Sequence, residues 1–456
     1  MFKVSVIMPC LNVEKYISNC LDSVVNQTLK DIEIIVVDAG STDNTLNIIK
    51  EFKSKDERIK LINSDKKSYG YQMNIAANIA QGEYIGIVET DDYIEKNAFD
   101  MLYREIVNTD ADYIKGKAIA FFDQGNFKFQ REYKTCLDWD IKNKVVVNPK
   151  RYPWLFISDN FIWNGLYRRE YFQKFKFLES PGAAFQDIGV LFKLISNSEK
   201  AIYLNKIVYY YRQGDMLASS YNHKSLNFVK NEYSALENLL ENLSEGWRYI
   251  FYRKMAHHLL NRFDYMSCEG VFWTEASESI IWLKKKLNYA IDNKILSKSN
   301  FSEYDWEGLK IFLNEGGYSL FQYYQNSLDY HTKITMNTIE QFKNREWIIF
   351  GCGAWGKAIG SIFRMFNIKV NAFCDNSSKK QGTKIYDLEI LSPNEAVKTY
   401  KQTHFFISNK SHKYEIQQQL LKLGVNQERI FAKDISEEIY KNPTTLRSLY
   451  KESLKI

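Results

Sequence analysis

Two neighbouring carboxylates, Asp91 and Asp92, follow an apolar run at 84–88 in the stretch GEYIGIVETDDYI (82–94). Adjacent acids repel, so placing both at the mouth of a core is favourable when a cation lies between them. A hard ion such as Mg2+ or Mn2+ keeps several waters and needs only one or two protein carboxylates, with phosphate oxygens completing its shell. A solvated turn capping a helix that starts near Glu95 would use the same two residues. A second stretch with chemical potential is Gly351-Cys352-Gly353-Ala354-Trp355-Gly356, a GxGxxG spacing after the apolar 347–350, with Asp375 standing 19 residues beyond Gly356. Glycines at Gly351, Gly353 and Gly356 permit a tight turn and close phosphate approach, and an acid at that distance suits a ribose hydroxyl. The stretch is a possible second nucleotide site, weighed against an interaction or oligomerisation module, because fold alone does not fix function.

Both acidic sites require strands that stop abruptly. Residues 3–8 (KVSVIM) read as a strand broken at Pro9, Cys10, Leu11 and Asn12, and 14–26 carry apolar residues at helical spacing. Residues 32–37 (IEIIVV) read as a second buried strand, stopped by Asp38-Ala39-Gly40-Ser41, after which Thr42 or Asp43 caps a helix through Phe52. A short strand at 59–62 and a helix at 71–80 lead to the strand that ends in the acids. This alternation predicts a parallel sheet with helices on both faces, where ligands sit outside the carboxyl ends of the strands. The breaks at 9–12, 38–43, 63–65 and 90–92 all fall at such ends, so four loops converge on one crevice. A nucleotide there would meet Asp38 near its base or ribose, and Asp91 and Asp92, through metal, at its phosphates.

With 456 residues, 45% hydrophobic and 25% charged, the chain can form two or three domains with proper cores, and composition excludes a disordered protein. Its 31 Tyr and 29 Phe suit stacking and hydroxyl-lined walls for a polar ring. A net charge of +6 is compatible with phosphate-bearing substrates or anionic lipid heads and does not argue for nucleic acid. The six cysteines, Cys10, Cys20, Cys136, Cys268, Cys352 and Cys374, show no CxxC spacing, and a strand begins by Lys3. They read as reduced thiols of a cytoplasmic protein without a signal peptide. No run of 18 apolar residues exists to span a membrane. His257 and His258, adjacent on an expected helix, point apart and make no metal site.

Residues 3 to about 220 resemble the family 2 glycosyltransferases of the GT-A fold. The matching pieces are VSVIMPCLNVEKYISNCLDSVVNQT (4–28), IIVVDAGSTDNT (34–45), AANIAQGEYIGIVETDDYI (76–94), FIWNGLYRREYF (161–172) and SPGAAFQDIGVLFKLI (180–195). The resemblance implies a nucleotide-sugar donor, a divalent metal at a DXD-like motif, and inversion at the anomeric carbon. By it, Asp92 is the metal ligand and Asp91 its companion on the ribose or sugar. Asp38, Pro9, Cys10, Leu11 and Asn12 form the nucleoside pocket, and Gln72 contacts the donor. Asp187 is the base, in a QD pair where Gln186 replaces the usual Glu, while Trp163 and Asn164 border the donor sugar or the acceptor. Arg212, in Tyr209-Tyr210-Tyr211-Arg212 ahead of Asp215 and Ser219-Ser220, reaches the diphosphate. The chain departs from the family at Ala39, where many members carry an Asp associated with uracil, at Leu11, where Tyr is common, and at Glu89, which opens the metal motif. UDP is the expected nucleotide.

Each assignment has a plainer counterpart: Asp187 as a helix N-cap, Trp163 as core, Arg212 as a surface cation. A helix N-terminus also favours the ionised carboxylate, whereas a base profits from a raised pKa, which burial against Phe185 could supply.

The expected layout is a GT-A domain (1–221) with a Rossmann-like mixed sheet flanked by helices, a helical connector (222–343), and a small Rossmann-like α/β domain (344–456). The last resembles domains appended to bacterial polysaccharide-assembly enzymes and has no Tyr-x-x-x-Lys pair for dehydrogenase chemistry. The expected function is metal-dependent inverting transfer from a UDP-sugar to a hydroxyl of a polysaccharide, oligosaccharide or lipid-linked glycan, in the cytoplasm or at the inner membrane face. The connector offers a surface for homo-oligomer or peripheral membrane contact. Two other readings are a nicotinamide-dependent nucleotide-sugar enzyme that uses the C-terminal domain, and a non-catalytic carbohydrate-assembly protein.

Overall fold

The computed structural model describes residues 2–124, 127–133, 143–159, 161–182, 184–213, 223–409, 411–432, 448–449 and 452–453. Cys136, Asp215, Ser219 and Ser220 lie outside the described residues. Two compact units emerge, one of Met1–Ala120, Glu132–Phe263 and Trp273–Leu320, the other of Phe121–Arg131, Asp264–Phe272 and Phe321–Ile456.

The large sheet comprises β1 (Val4–Cys10), β2 (Ile32–Asp38), β3 (Ile59–Asn63), β4 (Tyr84–Ile87), β5 (Tyr93–Ile94), β6 (Tyr113–Gln124), β7 (Phe127–Glu132), β8 (Lys144–Val147), β9 (Gly165–Arg168) and β10 (Ala201–Gln213). Its path runs β3-β2-β1-β4-β9-β6-β10-β5, with β7 on β6 and β8 on β10. The pairs β3–β2, β2–β1 and β1–β4 are parallel, as the strand–helix alternation requires. Every residue of β1 and β2 is buried, which is why both are mostly apolar on both faces, with the buried Ser5 and Glu33 hydrogen-bonded to each other. Beyond β4 the sheet turns antiparallel at β4–β9 and β9–β6, and again at β10–β5 and β10–β8, so it is mixed.

Helix Ile17–Val25 buries Ile17, Cys20, Leu21 and Val24. The next helix starts at Thr45 and runs to Lys55, later at both ends than the sequence implies. The reason is local: Asp43 is spent on the loop, its carboxylate accepting from the Thr45 N–H at 3.0 Å and the Glu14 N–H at 3.1 Å. Asp91 and Asp92 cap nothing either, because β5 follows them and the next helix begins only at Ala98. A helical stretch then includes Ser225–Leu236, Glu245–Glu269, Ser277–Asp292 and Glu303–Asn314. No helix among the described residues is long and apolar enough to cross a membrane.

The second sheet orders β11 (Glu346–Phe350), β12 (Lys369–Cys374), β13 (Lys384–Ile385), β14 (Leu388–Leu391), β15 (His404–Ile407) and β16 (Ile430–Phe431) as β13-β14-β12-β11-β15-β16. All its pairs are parallel except β13–β14. Alternate residues of β11 feed opposite cores, Trp347 and Ile349 into one and Ile348 and Phe350 into the other, as expected of a sheet covered on both faces.

Candidate active site

The turn after β4 is held from three sides. The Asp92 N–H donates to the Glu89 carbonyl at 3.1 Å, and the Thr90 hydroxyl donates to the Pro9 carbonyl at 2.9 Å, which fixes the turn against the end of β1. Asp92 is 1% exposed. Its carboxylate accepts from the Tyr209 hydroxyl at 2.9 Å and from the Arg212 N–H at 2.6 Å, while Arg212 Nε donates to the Asp91 carbonyl at 2.8 Å. The end of β10 therefore clamps the acidic turn. Asp91 itself is only partly buried.

Charge here is left poorly answered. Burial, then the neighbouring charge of Asp91, push the Asp92 carboxyl well above its ordinary range, against the pull of Arg212 and Tyr209. Burial likewise lifts Glu89 to about 8; the Tyr69 hydroxyl, donating to Glu89 Oε1 at 2.7 Å, opposes this, and Asp91 and Asp187 add to it. Tyr209 ties the group together, since its oxygen also accepts the Glu89 N–H at 3.0 Å.

Asp187 reaches the same rim by a separate route. It opens helix Asp187–Asn197, but the cap position belongs to Gln186, so Asp187 is not the N-cap. Gln186 instead accepts from the Gly70 N–H and donates to the Ser180 carbonyl, each at 2.6 Å. Gly182 pairs with this same region, donating to the Lys67 carbonyl at 3.0 Å and accepting from the Tyr69 N–H at 3.3 Å. Gly70 must be glycine: a Cβ there would stand 1.9 Å from the Leu178 carbonyl oxygen. These contacts bind the 180–187 loop to the start of helix Tyr69–Ile79, whose Tyr69 touches Glu89. Burial raises the Asp187 carboxyl above its ordinary value; Lys254, the first N–H groups of its own helix and Lys115 only partly offset this. The conflict between helix terminus and raised pKa is thus decided by burial.

A strand-end acid pair, a clamp from β10 and a partly buried Asp187 at the start of helix Asp187–Asn197 make up the site. The model described as Glycosyl transferase family 2 matches residues 5–175, and one described as C2185-like, N-terminal, matches 343–431. Glycosyltransferase GlyG of Streptococcus pneumoniae is 32% identical over 217 residues, covering 46% of this chain and 70% of that protein. The chain belongs to glycosyltransferase family 2. Glycosyltransferase GlyA of the same organism is 35% identical over 218 residues, covering 46% of this chain but 30% of its own length. The crystal structure of S. aureus TarS 1–349 in complex with UDP-GlcNAc shares the fold at a TM-score of 0.52, with 20% identity across 71% of this chain and 90% of that one.

In this glycosyltransferase the two loops at the ends of β1 and β2 are stitched together. Asp38, 1% exposed, accepts from the Gly40 and Ser41 N–H groups at 2.8 and 2.9 Å and from the Ser41 hydroxyl at 2.5 Å, with the Cys10 thiol at 3.5 Å. Gln72 is buried and donates to the Cys10 and Val37 carbonyls at 3.0 and 2.6 Å. Both act as struts that shape the pocket from behind. Leu11 and Asn12 are the exposed members of that wall, and Asn12 accepts from the Thr42 N–H at 2.8 Å with its backbone in the left-handed region.

Trp163 stacks between Phe161 and Tyr209, at ring-centre distances of 4.4 and 4.1 Å, so it supports the tyrosine that holds Asp92. Asn164 is buried; its amide donates to the Gly116 carbonyl at 2.8 Å, and its Oδ1 has no hydrogen-bond partner among the described residues. The Arg212 guanidinium lies 4.6 Å over the Tyr16 ring. Sequence reasoning passed over Tyr69, Tyr209 and Lys254 as individual site residues. Tyr209 had a signal in the Tyr209–Arg212 run, and Tyr69 one in its place at the start of the helix after β3.

Among the described residues no group of three or more His, Cys, Asp or Glu side chains could hold a metal alone. A diphosphate-bound ion asks for less, and the partly exposed Asp91 beside the buried Asp92 fits that donor set.

In the second unit Gly351 has φ 110°, Gly353 precedes helix Ala354–Met365, and a Cβ on Gly356 would stand 1.8 Å from the Gly351 carbonyl oxygen. Asp375 accepts from the Cys352 N–H at 2.9 Å, the Ser377 N–H at 2.9 Å and Lys380 at 3.0 Å. Burial would raise its carboxyl, but these donors outweigh burial and hold it below the ordinary range. A cavity of about 250 Å3 opens alongside, bordered by Gly351, Asp375, Asn376, Asn409, His412 and Glu415.

Proposed function

We propose that this glycosyltransferase moves a sugar from a nucleoside diphosphate sugar to a hydroxyl of a glycan or lipid-linked glycan, with inversion, and that Asp187 is the base. The carrying observation is geometric: β10 clamps Asp92 through Tyr209 and Arg212, and the helix start whose Tyr69 donates to Glu89 is also tied, through the Gly70 N–H, to Gln186 next to Asp187. Such acids suit a site that a cation, a proton or a polar substrate completes. The acceptor hydroxyl oxygen attacks the anomeric carbon as the bond from that carbon to the phosphate oxygen breaks. The bonding pair leaves with the nucleoside diphosphate, and the hydroxyl proton passes to the Asp187 carboxylate.

Mn2+ or Mg2+, when bound, would neutralise charge developing on the leaving diphosphate. The sequence placed that ion on Asp92. The burial and double hydrogen bonding of Asp92 favour Asp91, with its greater exposure, as the direct ligand, and Asp92 as the charge behind it. Arg212, held on the acidic turn, would add positive charge near the phosphates. UDP is the proposed nucleotide, from the family resemblance and from the UDP-GlcNAc complex of the structurally similar TarS. The ribose-binding role of Asp375 that a nicotinamide enzyme would need is weakened, because both its carboxylate oxygens are already engaged.

Thermal-shift titration with UDP and Mn2+, run beside a transfer assay on a panel of nucleotide sugars, tests the proposal. Asp187→Asn is expected to keep the UDP-dependent shift while transfer falls about 10²- to 10⁴-fold. Wild-type turnover in that variant would remove Asp187 from the role of base.

A further inference from the structure

The helix that opens with Asp187 is not capped in the ordinary way. The first N–H groups of a helix have no carbonyl one turn back, and a side-chain oxygen at the N-cap normally accepts from the second or third residue of the first turn. Gln186 holds that position but makes no such bond, because its amide is spent on the Gly70 N–H and the Ser180 carbonyl. The missing acceptor arrives from another helix. Glu232 of helix Ser225–Leu236, 1% exposed, accepts from the Gly189 N–H at 2.9 Å across 43 positions of sequence.

Both partners are shaped for that bond. A Cβ on Gly189 would stand 2.4 Å from Glu232 Oε2, so glycine is what lets the carboxyl come so close. Glycine is a poor helix former, and its place in the first turn is explained by this contact rather than by propensity. One turn earlier on the same face of helix Ser225–Leu236, Phe228 covers Gly182, where a Cβ would stand 2.6 Å from the tip of the Phe228 ring. Gly182 has φ 101° and is the residue bonded to Lys67 and Tyr69. One helix face therefore presses on both ends of the segment 182–189 that carries Asp187.

We infer that Glu232 is a positioning residue for the base: its carboxyl caps the helix in place of Gln186 and, with Phe228, holds the first turn and Asp187 with it in a fixed place. The inference rests on the reading of Asp187 as the base. Glu232 acts through the backbone two residues after Asp187. The donor side is held separately, by β10 on Asp92 through Tyr209 and the Arg212 N–H, so a lost cap acts on turnover and not on donor binding. Burial lifts the Glu232 carboxyl to about 8, against the pull of the Gly189 N–H. Near neutral pH it is thus largely uncharged, and Gln reproduces its shape and its accepting oxygen.

The test is steady-state transfer near neutral pH for wild type, Glu232→Leu, Glu232→Gln, Gly189→Ala and the double variant Gly189→Ala/Glu232→Leu. Donor KM and the thermal midpoint are measured on each, with Asp187→Asn beside them. Glu232→Leu removes the accepting oxygen, and Gly189→Ala pushes it away while favouring the helix, so each is expected to lower kcat about tenfold with donor KM unchanged. The double variant should fall no further than either single one, because both remove the same bond. Glu232→Gln is expected to stay within about twofold of wild type. An unchanged kcat in Gly189→Ala overturns the inference, whether or not Glu232→Leu folds. Losses that add in the double variant, a Glu232→Gln variant as slow as Glu232→Leu, or a donor KM that rises as kcat falls overturn it too. Any of these with Asp187→Asn inactive leaves the base standing, whereas an active Asp187→Asn removes the base and the inference with it.

Discussion

At the carboxyl edge of the first sheet, burial and mutual repulsion push Glu89 and Asp92 toward protonation. At the same edge of the second sheet, Asp375 is drawn the other way by two N–H groups and a lysine. Both places put an acid just past the end of a parallel strand, β4 in one and β12 in the other, where α/β sheets bind ligands. The difference lies in who answers the charge. Asp375 is satisfied by its own chain and contributes to folding, whereas in the first cluster burial outweighs the donors that Glu89 and Asp92 receive. Carboxylates held in that condition cost stability, and active sites are where such a cost persists.

The contrast breaks most visibly at Asp91. Asp91→Asn is expected to lower transfer by about 10³-fold and to remain inactive when Mn2+ is raised, measured as product formed across a metal titration. Full rescue by excess metal would show that Asp91 contributes affinity alone. Asp375→Asn should do the opposite. It leaves transfer unchanged and lowers the stability of the second unit by about 1–2 kcal/mol, read by denaturant titration. The pH dependence carries a definite sign. The Asp375 carboxyl sits below its unfolded value, so its contribution is present above about pH 4 and is lost as pH falls through the folded value. The Asn variant should lack that acid-dependent loss. A fall in transfer with Asp375→Asn would instead join the two sites in one function.

What could be read from sequence follows what is local. The parallel arrangement of the first strands came from apolar runs and helical spacing, because β1 and β2 are buried on both faces. The acid turn at Asp91 and Asp92 and the glycines at Gly351 and Gly356 were legible for the same reason. The antiparallel insertion of β9 between β4 and β6 was not, since it depends on a strand more than 75 residues beyond β4 whose sequence, GLYR, carries no period of its own. The division of labour inside the acid pair was equally hidden. Only the return of β10 gives Tyr209 and the Arg212 N–H to Asp92, and that contact spans about 120 positions. Asp38 was picked out by its place at a strand end and Gln72 by the family resemblance, yet the structure turns both toward backbone groups of the loops they support.

The smallest expected effect tests the contrast at single-bond resolution. Tyr209→Phe removes one hydroxyl and keeps the ring that stacks on Trp163 at 4.1 Å, so packing is preserved while Asp92 loses one of its two donors. The Tyr209 hydroxyl favours the ionised form of Asp92, whose carboxyl already lies well above the ordinary range. Without it the acid holds its proton to still higher pH. A proton on Asp92 withdraws the charge that supports a cation at Asp91, because metal binding competes with protons for the same carboxylates. The apparent affinity for Mn2+ should therefore weaken by about fivefold, the equivalent of about 1 kcal/mol for one hydrogen bond, and should recover as pH rises. An equal loss at every pH would mean that the hydroxyl shapes the turn through the Glu89 N–H instead, and Asp92 would then resemble Asp375 more closely than its environment implies.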